Sequence, residues 1–314
     1  MSSARHDAFV LVGPTATGKT AVAQLLAEEL NAAVLSADAM LVYRGMDLGT
    51  AKPATAERGH VRYSGLDLVD PGEAFDVATW LEHAKKFLAQ ARAAGQPVIV
   101  VGGTGLYVKC LLTGLTAQPD ADPVWRAAAA KMNLTELQAH LQKLDAVRFE
   151  ALTESDRQNP RRLIRAVELA RGFPSLGKTE PQVFQTLERP GPVAGLSLPQ
   201  PLLAQRIQTR VAAMFAQGLL AEARRLREKF PQLSATAQQA IGYAEAFAVL
   251  DGRCTETEAQ ERICARTRQL AKRQMTWFKH QANVAWVTAD APATEVAARV
   301  RQLWSEYGPT PLAY

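Results

Sequence analysis

Gly13, Gly18, Lys19 and Thr20 fit G-x-x-x-x-G-K-[ST], and they lie between an apolar, β-prone run at residues 9–12 and a helical recurrence of Val22, Leu25, Leu26 and Leu30. Strand, loop and helix in that order predict a P-loop, whose successive backbone N–H groups wrap a di- or triphosphate while the helix N-terminus adds its dipole. Glycine at positions 13 and 18 supplies the backbone freedom such a loop needs. Lys19 would reach the outer phosphate oxygens, and the Thr20 hydroxyl would complete a Mg²⁺ shell. The phosphate-binding set is therefore Gly13, Pro14, Thr15, Ala16, Thr17, Gly18, Lys19 and Thr20.

Further strands are predicted at residues 32–37, ending in Asp38, and at 97–101, running into Gly102, Gly103 and Thr104; others follow at 193–198 and 284–288. Strands alternating with helices imply an α/β fold, a P-loop NTPase-like parallel sheet. Ligands gather beyond the C-terminal strand ends of such sheets, where Asp38 and Thr104 would join the P-loop. From about residue 120 to 188 the β signal fades and charged helix formers dominate, opened by QPDADP and closed around LERPGP. The expected organisation is a core of residues 1–118 and 190–314, with a helical C-terminal region, and a helical insertion domain at 119–189. Residues 307–312 read as a Gly/Pro-containing tail.

With 314 residues, 47% apolar and 21% charged, the composition is that of a globular protein. Neither a signal-peptide apolar region nor a membrane-length apolar run is found, so a cytoplasmic protein, taken as a monomer, is expected. Cys110, Cys254 and Cys264 are too scattered for a disulfide framework or a zinc site, and the five histidines have no metal-ligand spacing. Residues 1–110 hold 10 Lys and Arg against 11 Asp and Glu, whereas the remainder holds 26 against 20. The basic excess beyond the P-loop half makes a polyanion a plausible partner.

An NTP-hydrolysing P-loop protein usually has a strand ending in an acid that helps hold Mg²⁺, but VIVVGGTG ends in Gly-Gly-Thr; LDLVD at residues 66–70 is a weak substitute. The loop requires only a diphosphate, which can equally be a leaving group. Asp38 could then take a proton from an attacking nucleophile, Thr104 could donate to the bridging oxygen, and Arg126 could neutralise charge on the diphosphate. A nucleotide or small-molecule kinase and a non-catalytic RNA-binding P-loop protein are the alternatives.

LSADAMLVYRGMDLGTAKP at residues 35–53 and VGGTGLYVKCLLTGL at 101–115, followed in order by NPRRLIRAVEL, AIGYAEA and TRQLAKRQMTWFK, closely resemble the tRNA dimethylallyltransferases, or tRNA isopentenyltransferases, of the bacterial type. The resemblance implies attack by the exocyclic amine of the adenine 3′ of the anticodon on dimethylallyl diphosphate. It assigns Asp38 as general base, Mg²⁺ near Thr20, and Thr104 and Arg126 to contacts with tRNA or the reacting diphosphate. Family segments that touch tRNA correspond to Asp38, Ala39, Met40 and Leu41; to Arg161, Arg162, Leu163, Ile164 and Arg165; and to Ala240, Ile241, Gly242, Tyr243, Ala244 and Glu245. Arg206 and Arg210 match family arginines that would face the diphosphate. The partners implied are the tRNA anticodon stem-loop and dimethylallyl diphosphate, with the target adenine extruded from its stack.

The residues support an RNA partner independently. Arg268, Lys272, Arg273 and Lys279 occupy a stretch without acids, while Arg262 and Arg266 are expected to pair locally with Glu258 and Glu261. Trp277, Phe278, Tyr243 and Tyr107 could offer stacking faces. Where the family often has D-S-x-Q-x-Y, this chain has Ala39 and Leu41, retaining Tyr43, and RYSGLDL replaces a histidine-containing stretch. These departures bear on base recognition. No zinc-finger extension of the eukaryotic type is expected.

Overall fold

The computed structural model describes residues 6–115, 122–172 and 193–314. Two compact units divide the chain, Met1–Gly114 with Leu187–Tyr314, and Leu115–Thr186. Most of QPDADP and all of LERPGP lie outside the described residues. The first unit begins with β1 (His6–Val12), α1 (Lys19–Leu30), β2 (Ala33–Ser36), α2 (Thr55–Arg58), β3 (Tyr63–Ser64), α3 (Val77–Ala93), β4 (Val98–Gly102) and α4 (Gly105–Thr113). The second unit holds α5 (Pro123–Ala129), α6 (Leu134–Leu144), α7 (Ala146–Ala151), α8 (Glu154–Arg157) and α9 (Pro160–Gly172). The first unit then resumes with β5 (Val193–Ser197), α10 (Gln200–Ala216), α11 (Leu219–Lys229), α12 (Tyr243–Leu250), α13 (Glu256–Gln281), β6 (Val284–Thr288), α14 (Ala293–Tyr307) and β7 (Thr310–Leu312).

The sheet runs β3-β2-β4-β1-β5-β6, all parallel, and β7 pairs antiparallel with β1. Every residue of β2 and β4 is buried, which is why these strands read as continuous apolar runs. Leu11, Leu26, Val34, Ile99 and Leu196 pack with Trp304 of α14. Trp80 of α3 stacks on Tyr107 of α4 with ring centroids 4.5 Å apart, and its indole N–H donates to the Ser36 carbonyl at 3.1 Å. No helix of the described residues is long and apolar enough to cross a membrane.

Register positions the site. Ser36 pairs with Val101 and Val12 with Gly102, so β2, β4 and β1 end side by side. A Cβ on Gly102 would stand 2.2 Å from the Ala37 carbonyl oxygen, a backbone atom with nowhere to go, and glycine is what lets the two strand ends approach.

Three strands differ from the sequence reading, the first being β3, a two-residue pairing on β2 that the sequence did not announce. The expected C-terminal tail contributes β7, whose Pro311 faces Asp7 on an edge pairing, a position where proline's missing N–H is tolerated. LDLVD forms only an isolated bridge from Val69 to Tyr43. Asp67 there accepts from the buried Lys52 Nζ at 2.5 Å, so its carboxylate is committed to a structural pair.

Among the described residues the regular structure of the second unit is helical, with Trp125, Leu137, Leu141, Leu163 and Val167 in its own core. Asp122 caps α5 by accepting from the Trp125 amide at 2.9 Å, and Asn133 with Glu136 forms a capping box on α6.

Candidate active site

The loop between β1 and α1 takes the backbone form its sequence demands. Gly13 has φ 140°, Ala16 φ 65° and Gly18 φ 88°, values that a Cβ disfavours and that turn consecutive amides toward one side. A side chain on Gly13 would also collide with the Leu196 carbonyl oxygen, 2.4 Å from the Cβ position. The Thr17 hydroxyl donates to the Pro14 carbonyl at 2.9 Å, and Lys19 Nζ donates to the same carbonyl at 2.6 Å. Burial pulls the Lys19 ammonium down to about 8; Asp38 partly offsets this and Arg210 adds to it.

Asp38 follows β2, and its Oδ1 accepts from the Met40 amide at 2.9 Å. Thr104 sits at the N-cap of α4, yet its side chain does not cap that helix. Its Oγ1 instead accepts from the Ala39 amide at 3.0 Å. That bond leaves the hydroxyl proton of Thr104 available for another acceptor.

Helices α10 and α13 close the loop from the far side. Arg210 donates to the Thr15 hydroxyl at 3.0 Å, and its Nε is buried with no partner among the described residues. Burial lowers its pKa, with Asp38 opposing. Arg206 donates to the carbonyls of Ala289 at 2.9 Å and Thr17 at 3.5 Å. Gln274 accepts from the Thr15 amide at 2.8 Å and donates to the Gly103 carbonyl at 3.0 Å. Sequence reasoning missed Gln274, although its spacing from buried Ala271 and Phe278 marked a polar residue on the core-facing side of α13.

A cavity of about 930 Å³ is lined by Lys19, Thr20, Asp38, Leu41, Arg206 and Arg210 among others. It thus joins the phosphate loop, the carboxylate after β2 and two arginines of α10. Its wall also carries apolar Leu25, Pro53, Leu66 and Ala213, a combination suited to a ligand with a charged head and a hydrocarbon part. Thr20, Ser36 and Asp38 offer oxygen atoms to it, the donor type a hard cation such as Mg²⁺ takes.

Several expected contact residues are not among those lining this cavity. In the second unit, Arg126 donates twice to Glu168, at 2.7 and 3.1 Å, and Arg165 donates to the same carboxylate at 2.8 Å. Burial raises the Glu168 pKa, but these bonds and the Asp122 amide hold it below its ordinary value. Arg161 and Arg162 are exposed, and Arg162 pairs with Asp156; Leu163 is fully buried among its neighbours and presents no surface to a ligand. In the first unit Ala240, Tyr243 and Glu245 are buried while Ala244 is exposed and Ile241 half-buried. The Tyr243 hydroxyl donates to Glu222 at 2.7 Å, and the same carboxylate accepts from the Leu48 amide at 3.0 Å. Glu245 accepts from the Gly242 amide at 3.0 Å and pairs with Arg266, so Arg266 reaches across to α12 rather than along its own helix to Glu261. Tyr107, Tyr243 and Phe278 are core residues without a free stacking face; Trp277 is half-buried and packs on Gly105, where a Cβ would approach its ring to 2.3 Å. Arg268, Lys272, Arg273 and Lys279 are all exposed on α13.

Comparisons with known proteins place the whole chain in a family. A family model described as IPP transferase matches residues 41–281. A tRNA dimethylallyltransferase of Anaeromyxobacter dehalogenans (strain 2CP-1 / ATCC BAA-258) is 40% identical over 303 residues, covering 94% of this chain and 96% of the relative. One from Deinococcus radiodurans is 39% identical, covering 92% and 95%. The crystal structure of a full-length tRNA isopentenylpyrophosphate transferase from Bacillus halodurans superposes with a TM-score of 0.68 at 32% identity, covering 96% of each chain.

Proposed function

The chain belongs to the IPP transferase family, and we propose from that premise how its own residues perform the reaction. It is an enzyme that transfers a dimethylallyl group from dimethylallyl diphosphate to an exocyclic adenine amine of tRNA, releasing diphosphate. The acceptor is the adenine adjacent to the anticodon on its 3′ side, extruded from its stack to reach the buried donor.

The observation that carries the residue assignment is the single cavity onto which Lys19, Asp38 and Arg210 open. The adenine nitrogen attacks C1 of the donor, the C1–O bond breaks with its electron pair leaving on the diphosphate, and the proton lost by nitrogen passes to the Asp38 carboxylate. Amides of the loop at residues 13–20, the Lys19 ammonium and the Arg210 guanidinium receive the developing negative charge. A diphosphate oxygen would satisfy the buried Arg210 Nε. Thr104, whose Oγ1 already accepts from Ala39, directs its own proton to the bridging oxygen. Mg²⁺ beside Thr20 would share the charge of the diphosphate when bound.

The exposed cations of α13, together with Arg126, Arg161 and Arg162 of the second unit, are assigned to the RNA backbone. With Ala39 and Leu41 where relatives often have Ser and Gln, the loop after Asp38 offers the target base backbone and apolar contacts. The protein works in the cytoplasm, as a monomer. No observation on the site favours a kinase or a non-catalytic RNA binder.

The test is incubation with Mg²⁺, dimethylallyl diphosphate and unmodified tRNA, followed by nucleoside mass spectrometry. Isopentenyladenosine at the position 3′ of the anticodon is expected; bound tRNA and bound diphosphate without any modified nucleoside would overturn the assignment.

A further inference from the structure

Among the described residues, Gln274 is the α13 side chain that bonds both the phosphate loop and the loop after β4. Its Oε1 accepts from the Thr15 N–H at 2.8 Å, and its Nε2 donates to the Gly103 carbonyl at 3.0 Å. An amide can do both at once because it carries an acceptor and a donor on one rigid plane. Gly103 is built for the approach: a Cβ there would stand 2.4 Å from Gln274 Nε2.

Each end of this bridge continues into the chemistry. Thr15 also accepts from Arg210 through its hydroxyl, so α10 and α13 grip the same residue of the phosphate loop. Gly103 precedes Thr104, which holds the Ala39 amide one residue beyond Asp38. The Thr15 N–H is spent on Gln274, which leaves the amides from Ala16 onward to face a phosphate. Gln274 is followed by half-buried Trp277, packed on Gly105 at the start of α4, and is flanked by exposed Lys272 and Arg273.

The geometry points to Gln274 as a positioning residue that fixes the separation between the donor diphosphate cradle and the Asp38–Thr104 pair. Gln274 also lines the cavity; in this role it acts through Thr15 and Gly103. The inference rests on the transferase reading for its kinetic consequence, and on the two hydrogen bonds alone for its structural one. Misplacement of reacting groups by about 1 Å costs on the order of 10²-fold in rate, so loss of the strut lowers kcat rather than tRNA affinity.

Gln274→Met keeps the side-chain length and removes both bonds, and Gly103→Ala displaces the amide from the other end. Hydrogen exchange of the peptide spanning residues 13–20 is measured first, since it needs no turnover. Faster exchange in Gln274→Met, with the global melting transition retained, is expected; unchanged exchange overturns the strut whatever the enzyme does. Single-turnover transfer is then compared with tRNA affinity. The expected result is a fall of about tenfold or more in the rate with tRNA Kd within about twofold, and losses in Gly103→Ala and the double variant that are not additive. A wild-type rate in Gln274→Met, or a loss wholly explained by weaker tRNA binding, overturns the proposal. Absence of transfer by the wild type defeats the transferase reading instead, and leaves the exchange result to decide the strut.

Discussion

The Thr104 hydroxyl accepts from the Ala39 amide at 3.0 Å, so the loop after β4 holds the loop after β2 one residue beyond Asp38. Thr104→Val keeps the shape of the side chain, removes the acceptor and leaves the Ala39 N–H unpaired. A stability loss of about 1 kcal/mol is expected in a thermal or denaturant melt, with a larger loss in kcat because the hydroxyl also serves the leaving group. Thr104→Ser should retain most activity. Equal activity of the Val and Ser variants would remove the role.

Lys19 makes diphosphate binding pH-dependent. Burial first, with Arg210, holds its ammonium at about 8 against the pull of Asp38, so the free enzyme loses this positive charge as pH rises through that value. Calorimetric affinity for inorganic diphosphate is expected to weaken between about pH 7 and pH 9. The folded value lies below the unfolded value of 10.5, so the unliganded fold binds fewer protons than the unfolded chain between the two. Its stability therefore gains a contribution as pH rises from about 8 toward 10.5. Constant affinity across this window would contradict the environment assigned to Lys19.

Glu168 organises Arg126 and Arg165 in the second unit. Its carboxyl is held below its ordinary value, so its contribution is present above the unfolded value of about 4.5 and is lost as pH falls through the lower folded value. Glu168→Gln is expected to cost about 1–3 kcal/mol at neutral pH, measured by thermal unfolding. The gap from wild type should narrow as pH falls below about 4.5 and through the lower folded value. A gap independent of pH would show that packing, not charge, holds this cluster.

The exposed cations of α13 should appear in the salt dependence of tRNA binding. Each phosphate contact removed lowers the magnitude of the slope of log K against log salt by about 0.7 for single-stranded segments. Arg268→Ala, Lys272→Ala, Arg273→Ala and Lys279→Ala are expected to flatten the slope stepwise in filter-binding titrations. An unchanged slope in all four would move the RNA surface away from this helix face.

The phosphate loop and the parallel strands were legible because their signals are local: a fixed glycine spacing, and apolar runs buried on both faces. Asp38 and Thr104 could be brought together from sequence because parallel strands end on one side of a sheet. What escaped was set by partners distant in the chain. Gln274 reaches Thr15 and Gly103 from α13, and Glu222 gathers Leu48, Gly49 and Tyr243 from separate segments. Burial and the Glu222 bonds make Tyr243 a brace for the residues after β2. β7 was missed since three residues with a central proline carry almost no strand signal, and only the exposed edge of β1 at residues 6–8 makes them one.

The most direct measurement is single-turnover dimethylallyl transfer by Asp38→Asn beside wild type, on the same tRNA. The amide oxygen introduced by this substitution can still accept from the Met40 N–H, as the Asp38 carboxylate does at 2.9 Å, so the loop is preserved while the proton acceptor is lost. With tRNA and diphosphate affinities near wild type, the transfer rate should fall by about 10²–10⁴-fold. Transfer at the wild-type rate would contradict Asp38 as the base, and with it the joining of the phosphate loop and this carboxylate into one active site.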